Sequence, residues 1–169
     1  NGSVSLNIRP ELLDEVFHEA LSHLDRNAEQ HHISVELEDD LLMADMDARL
    51  IVQVVINLVN NAIKYTPDGG RIVMSAGADR ERVWLEVSDN GIGIPDGDRE
   101  RIFERFYRVD SSRTRAQGGY GLGLSIAQSI VQAHHGKIHA QSDTQGTTFT
   151  VALPMCTQRT IKYKKKVTK

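Results

Sequence analysis

The spacing of apolar residues along the chain predicts three main helices. The first helical pattern begins at Pro10 and runs to Leu24. A stronger apolar stripe predicts a helix from about Asp47 to Tyr65, and the turn-forming run Thr66-Pro67-Asp68-Gly69-Gly70 ends it. A third helix is predicted from about Gly121 to Ala133.

Strand patterns lie between these helices and after the last one. Ile33, Val35 and Leu37 alternate with polar residues and mark a short strand. The other predicted elements are an antiparallel hairpin (Arg71–Ala78 and Arg82–Asp89), a short helix at about Asp98–Phe106, and two final strands (Lys137–Ser142 and Thr147–Leu153). This order predicts an α/β fold, a two-layer sandwich with one mixed sheet covered by helices on one face.

Composition and charge restrict the class of protein. Of the 169 residues, 40% are apolar and 25% are charged, which is typical of a globular domain. The single cysteine, Cys156, excludes a disulfide framework and fits a reducing compartment. The segment 159–169 carries six basic and no acidic residues, so residues 1–158 carry 14 basic and 23 acidic ones. This acidic body argues against nucleic acid as a partner, and the basic tail is expected to be disordered.

One edge of the second helix carries polar side chains suited to a phosphate-bound metal ion. Asn57, Asn61, Lys64 and Tyr65 lie at helical spacings and share this edge. A carboxamide oxygen is a hard, neutral ligand for Mg²⁺, and an ammonium group neutralises phosphate charge. Simple solvent exposure is the alternative interpretation, although asparagine lowers helix propensity and the chain tolerates that cost here.

Two further segments are candidates for nucleotide contacts. The first is Asp89-Asn90-Gly91-Ile92-Gly93-Ile94-Pro95, where a carboxylate at a strand end can accept a hydrogen bond from adenine N6. The same residue types also fit an ordinary turn. The second is Gly118-Gly119-Tyr120-Gly121-Leu122-Gly123-Leu124, which leads into a helix and offers backbone N–H groups to an anion. Close helix packing or hinging explains such glycines equally well, and neither a P-loop nor a Rossmann context is present.

In this order and at these spacings, the three segments resemble the N, G1 and G2 boxes of the GHKL ATP-binding superfamily. The run Asn57–Thr66 matches the N box of bacterial sensor histidine kinases, and Ile102–Asp110 looks like their F box. The resemblance covers about residues 3–154. It implies a GHKL-type catalytic domain over residues 1–154, followed by the basic tail 155–169.

The resemblance also implies a role for each matching residue. Asn61 matches the asparagine that coordinates Mg²⁺, and Asn57 matches the polar residue near the γ-phosphate. Lys64 and Arg108 match residues that contact phosphate, and Asp89 matches the aspartate that binds adenine. The other expected nucleotide contacts are Tyr65, Gly91, Gly93, Ile94, Arg105, Gly119, Tyr120, Gly121, Leu122, Gly123 and Leu124. The aperiodic segment 110–120 would then be a mobile ATP lid.

The chain departs from the family pattern at two places. Tyr120 stands where family members often have Thr or Ser, and His134-His135-Gly136 stands where His-Gly-Gly is common. His135 is predicted to lie at a helix end, where a cation is favoured, and to have no further role.

The histidine that such kinases phosphorylate is expected to lie outside this chain. Ser22–Arg26 echoes the family's His-Glu-x-x-Arg-x-Pro motif, but no proline follows. Only 33 residues separate His23 from Asn57, which leaves no room for the helical hairpin that carries the acceptor. Adjacent His31 and His32 are predicted to be solvated, and no cluster of residues has metal-site spacing.

The resemblance implies that the domain binds ATP and Mg²⁺ and phosphorylates a histidine on the dimerisation hairpin of the same kinase. The phosphoryl group would then pass to a response regulator. The domain would be cytoplasmic, and its parent a homodimer associated with the bacterial cell membrane. Two alternatives stay open: a nucleotide-binding pseudo-kinase, and a chaperone- or gyrase-type ATPase, which needs a glutamate where Asn57 stands. Asp45–Ile51 also faintly resembles Kdp-type, potassium-responsive sensor kinases.

Overall fold

The computed structural model describes residues 5–24, 26–104 and 123–155. The α-helices in these ranges are α1 (Leu13–Ser22), α2 (Ala48–Tyr65) and α3 (Gly123–Ala133). The strands are β1 (Arg9–Leu12), β2 (His32–Leu37), β3 (Met43–Met46), β4 (Arg71–Ala78), β5 (Arg82–Asp89), β6 (Lys137–Asp143) and β7 (Gly146–Pro154). None of the described helices is long and apolar enough to cross a membrane.

Five strands form one mixed sheet in the order β2-β4-β5-β7-β6. Strands β2 and β4 are parallel, because the intervening chain passes through α2 and so returns in the same direction. The other neighbours are antiparallel, and the β4–β5 pair among them is the predicted hairpin. The prediction of a mixed sheet is therefore confirmed.

The helices cover one face of this sheet. The alternating residues of β4, β5 and β7 that point toward α2 are buried, and the largest of them include Met74, Leu85 and Phe149. Burying an apolar side chain of this size contributes about 1.5–3 kcal/mol. The opposite face carries polar residues such as Glu86 and Thr150. This arrangement confirms the predicted two-layer sandwich.

The first predicted helix boundary is wrong. Pro10 lies in β1, which pairs with β3 in a separate two-stranded antiparallel sheet, and α1 begins only at Leu13. Proline is tolerated there because it lacks an N–H group and β1 is an edge strand. Neither β1 nor β3 was predicted, since strands of four residues carry little periodic signal.

The later elements follow the prediction more closely. The hairpin β4–β5 and the end of α2 at Tyr65 match it, and α2 begins one residue after Asp47. The predicted short helix is instead two 3-10 turns, Asp96–Asp98 and Arg101–Phe103, and its last two residues lie outside the described part of the chain.

A buried histidine joins the end of α3 to the start of α2. His134 is 4% exposed, and its Nε2 accepts a hydrogen bond of 3.0 Å from the backbone N–H of Asp47. Its Nδ1 therefore carries the proton and donates to the Ile130 carbonyl at 2.8 Å. Both ring nitrogens are satisfied, so this histidine is a structural link between two helices.

His135 occupies the position after the helix end that glycine usually takes. Gly136 N–H donates to the Val131 carbonyl and His135 N–H donates to the Gln132 carbonyl, which is the Schellman pattern. This pattern needs a left-handed residue, and His135 has a φ of 60°. The departure from His-Gly-Gly therefore places a non-glycine residue in a conformation that glycine adopts more easily.

Replacing His135 by glycine is expected to stabilise the domain by about 0.5–1.5 kcal/mol, because it relieves the left-handed strain but makes the unfolded chain more flexible. Thermal unfolding measures the change, at roughly 2–4 °C per kcal/mol for a chain of this size. His135→Asn should be close to the native chain, and His135→Val should be less stable. Equal melting temperatures for all four proteins would contradict the strain.

Candidate functional site

Asp89 is the one carboxylate among the predicted site residues, and it is buried. It is the last residue of β5, and only 9% of its surface is exposed. Its Oδ1 accepts a hydrogen bond of 2.9 Å from the backbone N–H of Gly91. The register of β5 and β7 places Thr147 beside it, where the Thr147 backbone N–H helps to stabilise the negative charge of the carboxylate.

Burial makes the ionised form of Asp89 less favourable than that of an exposed aspartate. Burial raises the pKa of the Asp89 carboxyl above its ordinary value, and the hydrogen bonds from Gly91 and Thr147 only partly oppose this rise. A weaker interaction with the Thr66 hydroxyl, outside hydrogen-bond geometry, opposes it too. The protein's own hydrogen bonds do not fully replace the water that this buried carboxylate has lost. The carboxylate is therefore suited to accept a hydrogen bond from a ligand.

The loop after β5 packs against the end of α2. The Ile92 N–H donates to the Tyr65 carbonyl at 3.3 Å. A Cβ added to Gly91 would lie 2.4 Å from that carbonyl oxygen, 2.9 Å from the Thr66 hydroxyl oxygen and 3.0 Å from Asp89 Oδ1. A side chain does not fit here, and three oxygens therefore face one small space.

The second half of the loop is held by the hairpin of β6 and β7. Gly93 has a φ of +80°, and a Cβ there would lie 2.4 Å from the Asp143 carbonyl oxygen. The Ile94 N–H donates to Ser142 Oγ at 2.6 Å, and the Ile94 side chain packs against the core. Gly93 is thus required both by its backbone conformation and by the lack of space.

Substituting Gly91 by alanine is expected to destabilise the domain by about 1–3 kcal/mol, because the backbone of Tyr65 cannot move away without shifting α2. Gly97→Ala is the matched control, since a Cβ there meets nothing within 4 Å. Thermal unfolding should show a lower melting temperature for the first variant alone. Equal shifts would mean that the close approach at Gly91 is not a constraint.

The asparagine edge of α2 lies against the start of α3. Asn57 is half-buried, and its Nδ2 donates a hydrogen bond of 3.1 Å to the Gly123 carbonyl. Gln53, one turn earlier, donates to Asn57 Oδ1 at 3.1 Å. This hydrogen bond brings the N-box segment into direct contact with Gly123, the last glycine of the G2-box segment.

The remaining α2 residues of the predicted site are half-buried. Asn61 makes no side-chain hydrogen bond within the described ranges, so its carboxamide is available to a ligand. Lys64 lies in the last turn of α2, where its charge is favoured by the helix dipole. Tyr65 ends the helix next to the Asp89 loop. Leu124, in α3, packs partly against the core.

The F-box segment begins with two anchoring residues. Ile102 is buried, and the Phe103 ring meets the Phe149 ring edge-on with centroids 6.2 Å apart.

Several predicted contacts lie outside the described residues, so their roles stay predictions. They are Arg105, Arg108, Gly119, Tyr120, Gly121 and Leu122.

Two threonines near Asp89 were not among the predicted site residues. Thr66 is 4% exposed, and its hydroxyl has no hydrogen-bond partner within the part of the chain that the structure describes. Thr147 is 6% exposed and lies opposite Asp89 in the sheet. The signal for Thr147 is the register between β5 and β7, which residue spacing alone does not supply.

The histidines of the first part of the chain have structural surroundings. His23 caps α1, is exposed and contacts Glu19 at 3.0 Å, and a strand and 3-10 turn rather than a helical hairpin follow it. His31 is not solvated as predicted, because its Nε2 lies 2.7 Å from the Thr66 carbonyl oxygen. Among the described residues no cluster of His, Cys, Asp or Glu is arranged to hold a metal ion.

Comparison with known proteins identifies the family. A family model described as histidine kinase-, DNA gyrase B-, and HSP90-like ATPase matches residues 46–157. The chain is 44% identical to sensor histidine kinase WalK of Bacillus subtilis over 138 residues, covering 79% of this chain and 23% of that protein. It is 37% identical to sensor protein KdpD of Clostridium acetobutylicum over 145 residues, covering 86% and 16%. Both kinds of kinase match, so the Kdp type is not singled out.

Solved structures agree with this grouping. The catalytic domain of histidine kinase ThkA has a TM-score of 0.78 at 28% identity, over 88% of this chain and 95% of that one. Full-length ShkA, solved in complex with AMPPNP, has a TM-score of 0.78 at 25% identity, over 90% and 32%. ThkA solved in complex with the response regulator TrrA has a TM-score of 0.74 at 28% identity, over 88% and 42%.

The chain spans about a quarter or less of the two curated relatives, so it corresponds to one domain of such proteins. The family match covers most of the chain, and family membership implies ATP binding. The chain belongs to the histidine kinase-, DNA gyrase B- and HSP90-like ATPase family, and it is the catalytic ATP-binding domain of a bacterial sensor histidine kinase.

Proposed function

We propose that this domain binds Mg-ATP and transfers the γ-phosphoryl group to a histidine on a separate helical hairpin of the same kinase. A ring nitrogen of that histidine forms the new P–N bond, the bond from the γ-phosphorus to the β,γ-bridging oxygen breaks, and ADP leaves. The phosphoryl group then passes to an aspartate on a response regulator.

The observation that carries the proposal is the position of the polar edge of α2. Asn57 contacts the start of α3, and Tyr65, eight residues later, contacts the loop that follows Asp89. At 1.5 Å per residue this edge is about 12 Å long. It connects a glycine-rich helix start, which suits phosphate, with a buried carboxylate, which suits the adenine amine.

Adenine recognition is assigned to the Asp89 end. The carboxylate accepts a hydrogen bond from the N6 amine. Gly91 and Gly93 let the loop after β5 pack closely against the end of α2 and the β6–β7 hairpin, and this packing holds the carboxylate in place. Thr66 and Thr147 add polar groups beside the carboxylate. The adenine amine supplies a hydrogen bond that the protein itself does not give to the Asp89 carboxylate, and this makes the site selective for the base.

The residues at the other end fit a magnesium ion held by nucleotide phosphates. Asn61 offers a half-buried carboxamide oxygen that no described residue engages, and Mg²⁺ in nucleotide sites takes few protein ligands. When bound, Mg²⁺ neutralises charge on the phosphates. Asn57 orients the phosphate end of the site, Lys64 supplies positive charge, and Arg108 is assigned the same function from its motif position.

The composition of α2 supports phosphoryl transfer over a mechanical ATPase cycle. The helix contains no Asp or Glu, and the position of the required glutamate is held by Asn57, which is engaged with Gly123. An amide cannot remove a proton from water, so α2 provides no general base for hydrolysis. A histidine acceptor needs no such base on this helix because it is itself the nucleophile.

The larger assembly follows from the same proposal. The acceptor hairpin and the response regulator are the partners, and the parent kinase is a homodimer associated with the cell membrane with this domain in the cytoplasm. The ThkA–TrrA complex shows that a structural relative binds a response regulator. The basic tail 155–169 lies beyond the catalytic domain 1–154.

Incubating the chain with the acceptor hairpin of its own kinase and γ-labelled ATP tests the proposal. Acid-labile, alkali-stable label on the hairpin histidine is expected, and a hairpin with that histidine replaced by Gln is the control. ATP binding without transfer would favour a pseudo-kinase. Release of phosphate at the same rate with and without hairpin would favour an ATPase.

A further inference from the structure

A groove lies between α1 and α2, away from the predicted nucleotide site. It has a volume of about 600 Å³. Its floor is apolar and includes Leu12, Val16 and Ile56. Its side walls carry charged and polar groups, and these are Glu11, Glu15, Glu19, His23, Arg49 and Gln53.

The wall formed by β1 and α1 is strongly acidic. Glu15 and Glu19 are four residues apart on α1 and so lie on one side of that helix, and Glu11 of β1 lines the same groove. Glu19 contacts His23 at 3.0 Å, whereas Glu11 and Glu15 form no ion pair with any described residue. Arg49 is the only Lys or Arg in the described lining, so the groove keeps an excess of negative charge.

The C-terminal segment of the chain has the complementary chemistry. Residues 159–169 contain one arginine, five lysines and no acid, and apolar Ile161, Tyr163 and Val167 are interspersed among them. Such a segment suits a groove with an apolar floor and an acidic wall, because lysine stems pack on apolar surface while their ammonium groups pair with carboxylates.

The chain leaves the described fold next to this groove. Met155 forms a bridge with Ala44 of β3, and Ala44 pairs in turn with Glu11 of β1. With neighbouring strands about 4.7–4.9 Å apart, Met155 lies roughly 10 Å from Glu11. The 14 residues from 156 to 169 span up to about 45–50 Å when extended, so the basic residues reach every part of the groove.

We propose that the basic C-terminal segment 159–169 binds in the groove between α1 and α2 of its own chain. The attachment is intramolecular, and the short connection raises the effective concentration of the segment at the groove. Gln53 lines the groove and also donates a hydrogen bond to Asn57, so the occupied groove is one side chain away from the polar edge of α2.

Paramagnetic relaxation in the full chain tests this inference. Cys156 is the only cysteine, so Cys156→Ser with Thr168→Cys carries a single spin label near the end of the segment. We expect selective loss of amide signals from Glu15, Val16 and the Gln53 side chain. Residues of the open sheet face, such as Glu86, should keep their signals. Uniform weak broadening, or broadening centred elsewhere, would overturn the proposal.

Matched charge variants test whether the acidic wall is what holds the basic segment in the groove. Glu11→Gln with Glu15→Gln should restore the groove signals, as should 1 M salt, where the screening length is about 3 Å. Glu36→Gln with Glu81→Gln removes the same charge from positions outside the groove and should leave the broadening unchanged. Equal effects of both pairs would contradict a specific site. A further control mixes spin-labelled chain that has no isotope label with isotope-labelled chain that has no spin label. The groove signals must then stay intact, because broadening in this mixture would mean that the segment binds to another copy of the chain.

Discussion

Replacing Asn61 by alanine is expected to remove the magnesium-dependent part of ATP affinity while the fold stays intact. The Asn61 side chain is half-buried and unengaged among the described residues, so its truncation leaves no buried partner unpaired. Loss of one polar contact to a charged ligand costs about 1.5–3 kcal/mol, which is roughly a 10- to 100-fold loss of affinity. Calorimetric titration of ATP, with Mg²⁺ and then with a chelator, measures the difference.

Asn60→Ala is the matched control, because Asn60 is the neighbouring asparagine and is exposed on another side of α2. It should bind Mg-ATP like the native chain. In the presence of chelator, Asn61→Ala and the native chain should bind ATP equally weakly. Unchanged Mg-ATP affinity of Asn61→Ala would refute its assignment as the metal ligand.

Removing the Asp89 carboxylate is expected to weaken ATP binding without affecting binding of inorganic triphosphate. Both Asp89→Ala and Asp89→Asn remove the charged acceptor for the adenine amine, and the loss is again roughly 10- to 100-fold. Triphosphate has no base, so its affinity should not change. Competition titrations with both ligands measure the two effects, and equal losses for ATP and triphosphate would exclude the adenine role.

Asp89→Asn should also stabilise the ligand-free domain at neutral pH. Since burial raises the pKa of Asp89, its ionised form is disfavoured in the folded state, and that cost appears as the pH rises through the raised pKa. Asp89→Asn should therefore melt at a higher temperature than the native chain at pH 7. The difference should disappear as the pH falls below the ordinary aspartate value of 3.8.

Asp79, at the other end of the same hairpin, provides the opposite case. Hydrogen bonds from the backbone N–H groups of Glu81 and Arg82 hold the pKa of the exposed Asp79 carboxyl below its ordinary value. Asp79→Asn should therefore melt at a lower temperature at pH 7, and this loss should vanish as the pH falls through the lowered pKa. Thermal unfolding from pH 3 to pH 7 distinguishes the two signs, and shifts of the same sign would contradict the argument.

Much of the fold was predictable because long elements repeat their pattern. The alternation in β4 and β5 and the apolar stripe of α2 each continue over eight residues or more, so their bounds agreed with the structure. Strand β1 has four residues and contains Pro10, and only its pairing with β3 defines it. Short elements of this kind are determined by tertiary contacts and carry little local signal.

The candidate site was predictable to a different extent at each position. Asn61, Asp89, Gly91 and Gly93 were predicted as site residues from segments whose order resembles a known family, and their roles toward a nucleotide stay predictions. The polar surroundings of Asp89 were missed, because Thr66 and Thr147 are 81 positions apart in the chain and both come close to Asp89 only in the folded domain.

The sequence by itself determined the layers of this protein, the asparagine edge of α2 and the order of the nucleotide-binding segments. These features depend on local periodicity and on motif spacing, which the chain carries without folding. Only the tertiary structure decided that Asn57 meets Gly123, that Asp89 is buried between Gly91 and Thr147, and that an acidic groove lies between α1 and α2. Burial, a raised pKa and unpaired charge arise from neighbours distant in sequence, so they exist only once the chain has packed.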